Sequence, residues 1–183
     1  MTTELVKKEE SIFKLFDRED EKQIVNLNDF TKGSVLVYKV QSHIELSYKG
    51  IKYISILMAD RGMPLTIVGS KIELMGDGKE KTWYASVVMR NEKTKQEAEG
   101  ISQCPFYDSN SIPDQFARTK AHSKAERNAI RKLIPEYMIT KFIDGAMKEG
   151  QVKNLGDFCS CLNPKPNPSA KEICTSCNKV IRK

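Results

Sequence analysis

Long apolar runs are missing from this sequence, and so is most of the equipment of an enzyme. No stretch of the 183 residues approaches the roughly 18–20 uninterrupted apolar residues of a membrane span, and the mean hydropathy is −0.48. The opening segment, MTTELVKKEE, carries acidic residues and no apolar core, so it does not read as a secretory leader. A chain that is neither inserted nor exported is expected in the cytoplasm or on the nucleoid. Only two histidines occur, His43 and His122, in no HxH or HExxH pattern, and there is no P-loop and no GxGxxG. Glu97 and Glu99 share one face of a strand and could approach Mg²⁺, but no third ligand stands near them. The expectation is therefore a protein that is not an enzyme. Cysteine is scarce too until the end: Cys104, beside Pro105, is alone in the first 158 residues and reads as a small buried side chain.

The other four cysteines crowd into the last 25 residues. Cys159, Cys161, Cys174 and Cys177 read C-x-C, a twelve-residue gap, then C-x-x-C. Paired thiols at this spacing let a turn present two sulfurs to one tetrahedral Zn²⁺. Two disulfides are the competing reading, disfavoured in a reducing compartment. With four cysteine ligands there is no open position for a catalytic water, so the expected zinc is structural.

Charge is uneven along the chain. The total is 30 Lys+Arg against 24 Asp+Glu, a net of +6 with a pI near 9.0. Residues 1–32 hold eight carboxylates and six cations, net −2, interrupted by Ile12, Phe13, Leu15 and Phe16. They form a charged arm, expected as a short amphipathic helix or partly ordered segment and assigned no chemistry. Residues 35–48 are β-rich, and Gly50 opens a run in which Ile51, Ile54, Leu57 and Met58 keep helical spacing. Three strand-like runs follow at 64–75, 81–90 and 95–104, with separators short enough for hairpins. Asp114 is a candidate N-cap for a helix over 115–134, Pro135 ends it, and a second helix is expected over 136–148. Residues 150–156 read as a linker to the cysteine tail. The implied division is an arm at 1–32, a core at 33–149, and a linker with a zinc tail at 150–183.

The helix at 115–134 carries the strongest signal. At about 100° per residue, Lys120, Lys124, Arg127 and Arg131 fall within roughly 60° of one another. Ala117, Ala121, Ala125 and Ala129 recur on the adjacent face, where small side chains let a helix approach a sheet closely. Residues 114–134 hold six basic and two acidic side chains, net +4, and Glu126 lies on another face. The helix itself thus supplies no i,i+4 carboxylates for the row. An uncompensated row of cations suits a phosphate backbone, each neutralised phosphate releasing a counterion. Residues 150–183 are also net +4.

The order strand, short helix, three strands, long basic helix resembles the core of the single-strand annealing proteins, the Rad-type and Erf-type recombination group. The likeness runs through YKGIKYISILMADRGMP (48–64), TWYASVVMRNEKTKQEAEGIS (82–102) and FARTKAHSKAERNAIRKLIP (116–135), covering about residues 34–135. The resemblance implies an α+β fold, β-α-β-β-β-α, with an antiparallel meander packed on the basic helix and a small four-cysteine zinc module added. It implies ATP-independent binding and annealing of single-stranded DNA by a homo-oligomer, a ring or filament, in recombination, repair or viral replication. On that reading Lys120, Lys124, Arg127 and Arg131 line the groove, joined by Arg90 and Lys95 at the hairpin. Tyr53, Trp83 and Tyr84 are stacking candidates, of which Trp83 and Tyr84, being strand neighbours, point to opposite faces. The zinc tail would contact DNA or a replication or recombination protein. The alternative is a zinc-ribbon adaptor whose tail is the working part and whose core is a protein-binding platform.

Overall fold

The computed structural model describes residues 3–25, 35–40, 43–155, 166–167 and 170–174, with side chains described between 14 and 155 of these. The elements in chain order are α1 (Thr3–Val25), β1 (Val37–Val40), β2 (His43–Leu46), α2 (Tyr48–Asp60), β3 (Leu65–Met75), β4 (Thr82–Asn91), β5 (Glu97–Pro105), α3 (Ala117–Leu133), α4 (Glu136–Lys148), β6 (Val152–Asn154), β7 (Pro166–Asn167) and β8 (Ala170–Cys174). The class is α+β.

One sheet has the order β3-β4-β5, each strand antiparallel to the next. Strict alternation along β4 explains its two faces. Ala85, Val87 and Met89 are buried while Ser86, Val88 and Arg90 between them are not. α3 lies across the buried face, over β4 and β5, on the ridge Ala117, Ala121, Ala125 and Ala129, all fully buried. Gly100 of β5 completes the fit. A Cβ there would stand 2.0 Å from the Ala125 carbonyl oxygen and 2.4 Å from the Ala129 nitrogen. Pro135 terminates α3, and Ile134 before it is extended at ψ 123°. The β3 register slips between Ile67 and Gly69, leaving Val68 as a bulge.

The second sheet has the order β2-β1-β6. Here the structure departs from the expected linker: Val152–Asn154 is a strand, parallel to β1, and Gln151 O accepts from the N–H groups of Leu36 and Val37. The reason is the return path. α4 carries the chain back beside β1, so three residues with no strand pattern of their own find an unpaired edge.

α2 begins two residues before the expected glycine. Ser47 Oγ accepts from Gly50 N–H at 3.0 Å and caps the helix, so Gly50 sits inside its first turn. It is glycine because a Cβ there would stand 2.2 Å from the Leu36 carbonyl oxygen. α3 starts later than expected, with Phe116 rather than Asp114 at its N-cap and no side-chain cap bond; Asp114 instead accepts from Phe116 N–H at 2.8 Å in the turn ahead of the helix. The arm is a helix of 23 residues, and its buried Phe16 and Ile24 seat it on the body, Phe16 stacking on Tyr38 of β1 at 6.0 Å. β7 and β8 pair antiparallel, Pro166 opposite Cys174 and Asn167 opposite Ala170, with a register shift between the two pairs. Among the described residues no helix is long and apolar enough to cross a membrane.

Candidate nucleic-acid interface

The row on α3 is where it was expected, but it is not bare. Lys120 Nζ lies 2.6 Å from Asp114 and 3.6 Å from Glu21 of α1. Lys124, only 3 % exposed, is held between Asp17 at 2.7 Å and Glu21 at 2.6 Å. Arg127 grips Asp20 and stands 3.6 Å from Asp17. The expectation of an uncompensated row is thereby corrected. Most of its carboxylates come from α1, about a hundred residues upstream, with Asp114 just ahead of α3 and Glu136 of α4 at the two ends, rather than from i,i+4 neighbours on the same helix.

α1 can do this because its sequence sorts by helical spacing. Phe16, Asp20 and Ile24, at i, i+4 and i+8, form its buried stripe, and Asp17 and Glu21 lie beside it. Asp20 does double duty. It also accepts from Tyr48 N–H at 2.7 Å, while Gln23 accepts from Lys49 N–H at 3.0 Å, so α1 caps the positive end of α2. Burial pushes the Asp20 carboxyl above its ordinary range, a shift that Arg127 and the Tyr48 N–H only partly offset. At Lys124 burial works against the charge, but Asp17 and Glu21 outweigh it and raise the pKa. An ammonium taken from water without a partner costs several kcal/mol, so Lys124 tolerates burial because two carboxylates meet it. A phosphate reaches Lys120 or Lys124 only if α1 moves aside, whereas Arg127 also lines an open cleft.

The row opens to solvent at its C-terminal half. There a cleft of about 580 Å³ runs between α1 and α3, lined by Lys14, Phe16, Asp17, Asp20, Glu45, Leu46, Ile51, Arg127, Asn128 and Arg131. Lys14 is exposed and has no ion-pair partner among the described residues. Among the described residues the one ion-pair partner of Arg131 is Glu136, itself exposed, at 3.4 Å. The Arg127 guanidinium is oriented by Asn128 Oδ1 at 2.9 and 3.1 Å, and Asn128 in turn donates to the Ile101 carbonyl of β5 at 2.9 Å. The lining carboxylates are already engaged: Asp17 with Lys124, Asp20 with Arg127, and Glu45 with the Leu46 N–H at 3.1 Å. Two accessible cations beside an oriented guanidinium, over the apolar Phe16, Leu46 and Ile51, can hold an anionic group with a flat or apolar portion behind it.

The remaining expected contacts do not gather there. Arg90 lies on the open face of the sheet, opposite α3, with Nε 2.8 Å from Glu97. Lys95 sits in the β4–β5 turn at φ 60°, paired with Glu92 at 2.7 Å. Glu99 accepts from Ser86 Oγ on that same open face. Trp83 is on the helix-covered face, packed partly into the core, with the Arg118 guanidinium 5.8 Å above its ring. Tyr84 occupies the opposite face. Tyr53 is 42 % exposed on α2 and tilts against Phe142 of α4 at 5.8 Å. Cys104 is buried in the core, and burial pushes its thiol up to about 11. Of the zinc set, Cys159, Cys161 and Cys177 lie outside the described residues, and Cys174 is placed by its backbone as the last residue of β8. Among the described residues no three His, Cys, Asp or Glu side chains cluster as a metal site.

Sequence reasoning missed Lys14, Phe16 and Asn128. The signal was faint: Lys14 is one cation in an arm of net negative charge, and an Asn between two basic turns looks like any helix surface residue. No protein-family model matches the chain, and no curated protein sequence does.

Proposed function

We propose that the chain binds single-stranded DNA and anneals complementary strands without ATP, serving recombination, repair or viral replication. The observation that carries this reading is the cleft at the open end of the α3 row, where Lys14, Arg127 and Arg131 converge beside an apolar floor. A backbone held there by its phosphates keeps its bases available for a complement, the requirement of annealing. The succession of β1–β2, α2, three antiparallel strands and the long basic α3 agrees with the resemblance that suggested the activity. The contact set is Arg131, Lys14 and Arg127, with Lys120 and Lys124 serving first as the seat of α1. The tail would add a structural Zn²⁺ on Cys159, Cys161, Cys174 and Cys177. In its support, the β7–β8 hairpin pairs Pro166, five residues after Cys161, with Cys174, and metal content before and after chelation decides it.

The test uses fluorescence anisotropy of a labelled oligothymidylate over a salt series, with annealing of complementary oligonucleotides in parallel. Replacing Lys124 or Arg127 would break the clasp and unseat α1, so the informative variant is Lys14→Glu/Arg131→Glu, whose side chains are exposed and half-exposed. Binding should weaken by on the order of tenfold or more, and the slope of log K against log salt should fall by about 1.4, two phosphates at roughly 0.7 each. An unchanged slope in the folded double variant removes the cleft as the site, and a wild-type chain without affinity for the oligonucleotide removes the reading itself.

A further inference from the structure

The two edges of the β3-β4-β5 sheet are treated differently. At β5 the outward carbonyls are taken: Lys132 Nζ donates to Glu99 O at 2.7 Å and Asn128 Nδ2 to Ile101 O at 2.9 Å. At β3 nothing of the kind occurs among the described residues. β3 is eleven residues long, and α3, lying over β4 and β5, covers its helix-side face only in part: Leu65 and Ile72 pack against the core, while Ile67 and Leu74 are 49 % and 43 % exposed. A long exposed edge with apolar side chains is a template for another strand.

The backbone direction at that edge can be worked out. Asn91 N–H donates to Gln96 O and Phe106 N–H to Lys81 O, so odd-numbered positions of β4 bond toward β5 and even-numbered ones toward β3. Ser86 and Tyr84 face Lys71 and Glu73 in register. Lys71 and Glu73 therefore bond inward, and Ser70, Ile72 and Leu74 turn their N–H and C=O groups off the sheet. Ser70 is exposed.

We propose that β3 is a homodimer interface, pairing antiparallel with β3 of a second copy about a twofold axis at Ile72. This register sets Ile72 opposite itself and Ser70 opposite Leu74, so the outward groups meet in a ladder of about six N–H···O=C bonds. It also places Lys71 directly opposite Glu73 of the partner subunit, and Glu73 opposite Lys71, replacing the exposed Lys71–Glu73 pair within one strand, 2.9 Å apart, with two reciprocal pairs. Registers shifted by one position put Lys71 opposite Lys71 or Glu73 opposite Glu73, and like charges directly opposite destabilise. The strand is charge-complementary to itself in this alignment, which is why a second copy, rather than an unrelated strand, is the occupant. The product is a six-stranded sheet with both α3 helices on one face and the uncovered Ile67 and Leu74 side chains of the two copies brought together.

Sedimentation of the full chain without nucleic acid, over a micromolar concentration series, tests this independently of the DNA reading. The wild type should sediment as a dimer. Ser70→Pro deletes an outward N–H and leaves the β3–β4 ladder intact, so it should shift the population to monomer with unchanged circular dichroism. Lys71→Glu and Glu73→Lys should each weaken association roughly tenfold, and the double exchange Lys71→Glu/Glu73→Lys should restore it. A monomer at every concentration overturns the proposal. So does self-association indifferent to Ser70→Pro, or a double exchange no better than the single changes.

Discussion

Gly100 shows how closely a single residue can set the distance between two layers. The Cβ of an alanine there would stand 2.0 Å from the Ala125 carbonyl, against backbone that cannot yield without moving α3. Gly100→Ala is expected to cost about 3 kcal/mol, lowering the thermal midpoint by roughly 6–12 °C. Gly145→Ala, in α4 with open space around it, should instead stabilise by about 0.5–1 kcal/mol. Melting curves of the two variants check both. The alanine ridge was legible in the sequence because a four-residue spacing repeated along one helix survives any tertiary context. The glycine facing it was not, since it is defined by a helix that begins seventeen residues later. The cations of α3 divide in the same way: the 100° spacing disclosed the row, whereas its carboxylates lie on another element.

At the scale of elements, α1 is an ionic clasp on α3 and a cap on α2, and its pH response follows from the shifted groups. Burial pushes Glu19 up, but Lys153 and Lys22 more than reverse this; burial likewise opposes Asp114, which Lys120 and the Phe116 N–H bring below its usual value of 3.8. A lowered carboxyl adds stability above its unfolded pKa that disappears as pH falls through the folded value. Lys124 and Lys120 are raised above 10.5 against the effect of burial, by Asp17 and Glu21 at Lys124 and chiefly by Asp114 at Lys120. Their contribution is complete below 10.5 and lost as pH climbs through the raised values. Denaturation at a series of pH values should therefore give a plateau across neutrality, with losses below about pH 4 that the raised Asp20 partly offsets, and losses that begin above about pH 9 with the buried Cys104 thiol and continue above 10.5 with the lysines. The strands of the larger sheet were readable because each has its own alternation and turn residues. β6 was not, because three residues become a strand only when β1 offers them an edge.

For the molecule as a whole, the described body extends past the boundary expected at residue 149. Val152–Asn154 pairs with β1, Leu155 packs against Phe16 and Tyr38, and Lys153 binds Glu19 of α1. A chain ending after Leu155 should melt as the full chain does, whereas one ending after Glu149 should lose about 2–4 kcal/mol through the exposed edge and opened cluster. Comparing the two by chemical denaturation locates the boundary. The charge asymmetry of the sequence takes on a spatial meaning here, since the acidic arm and the basic helix are two halves of one contact. That contact also has a place in time. The bond between Asp17 and Lys124 spans 107 residues, so the loop it closes is, with the 134-residue one closed by Lys153 and Glu19, among the costliest in the body, while β3, β4 and β5 meet through short turns. α1 is thus made long before it can find its seat: on the ribosome its acidic face waits in water until α3 has emerged and docked on the sheet.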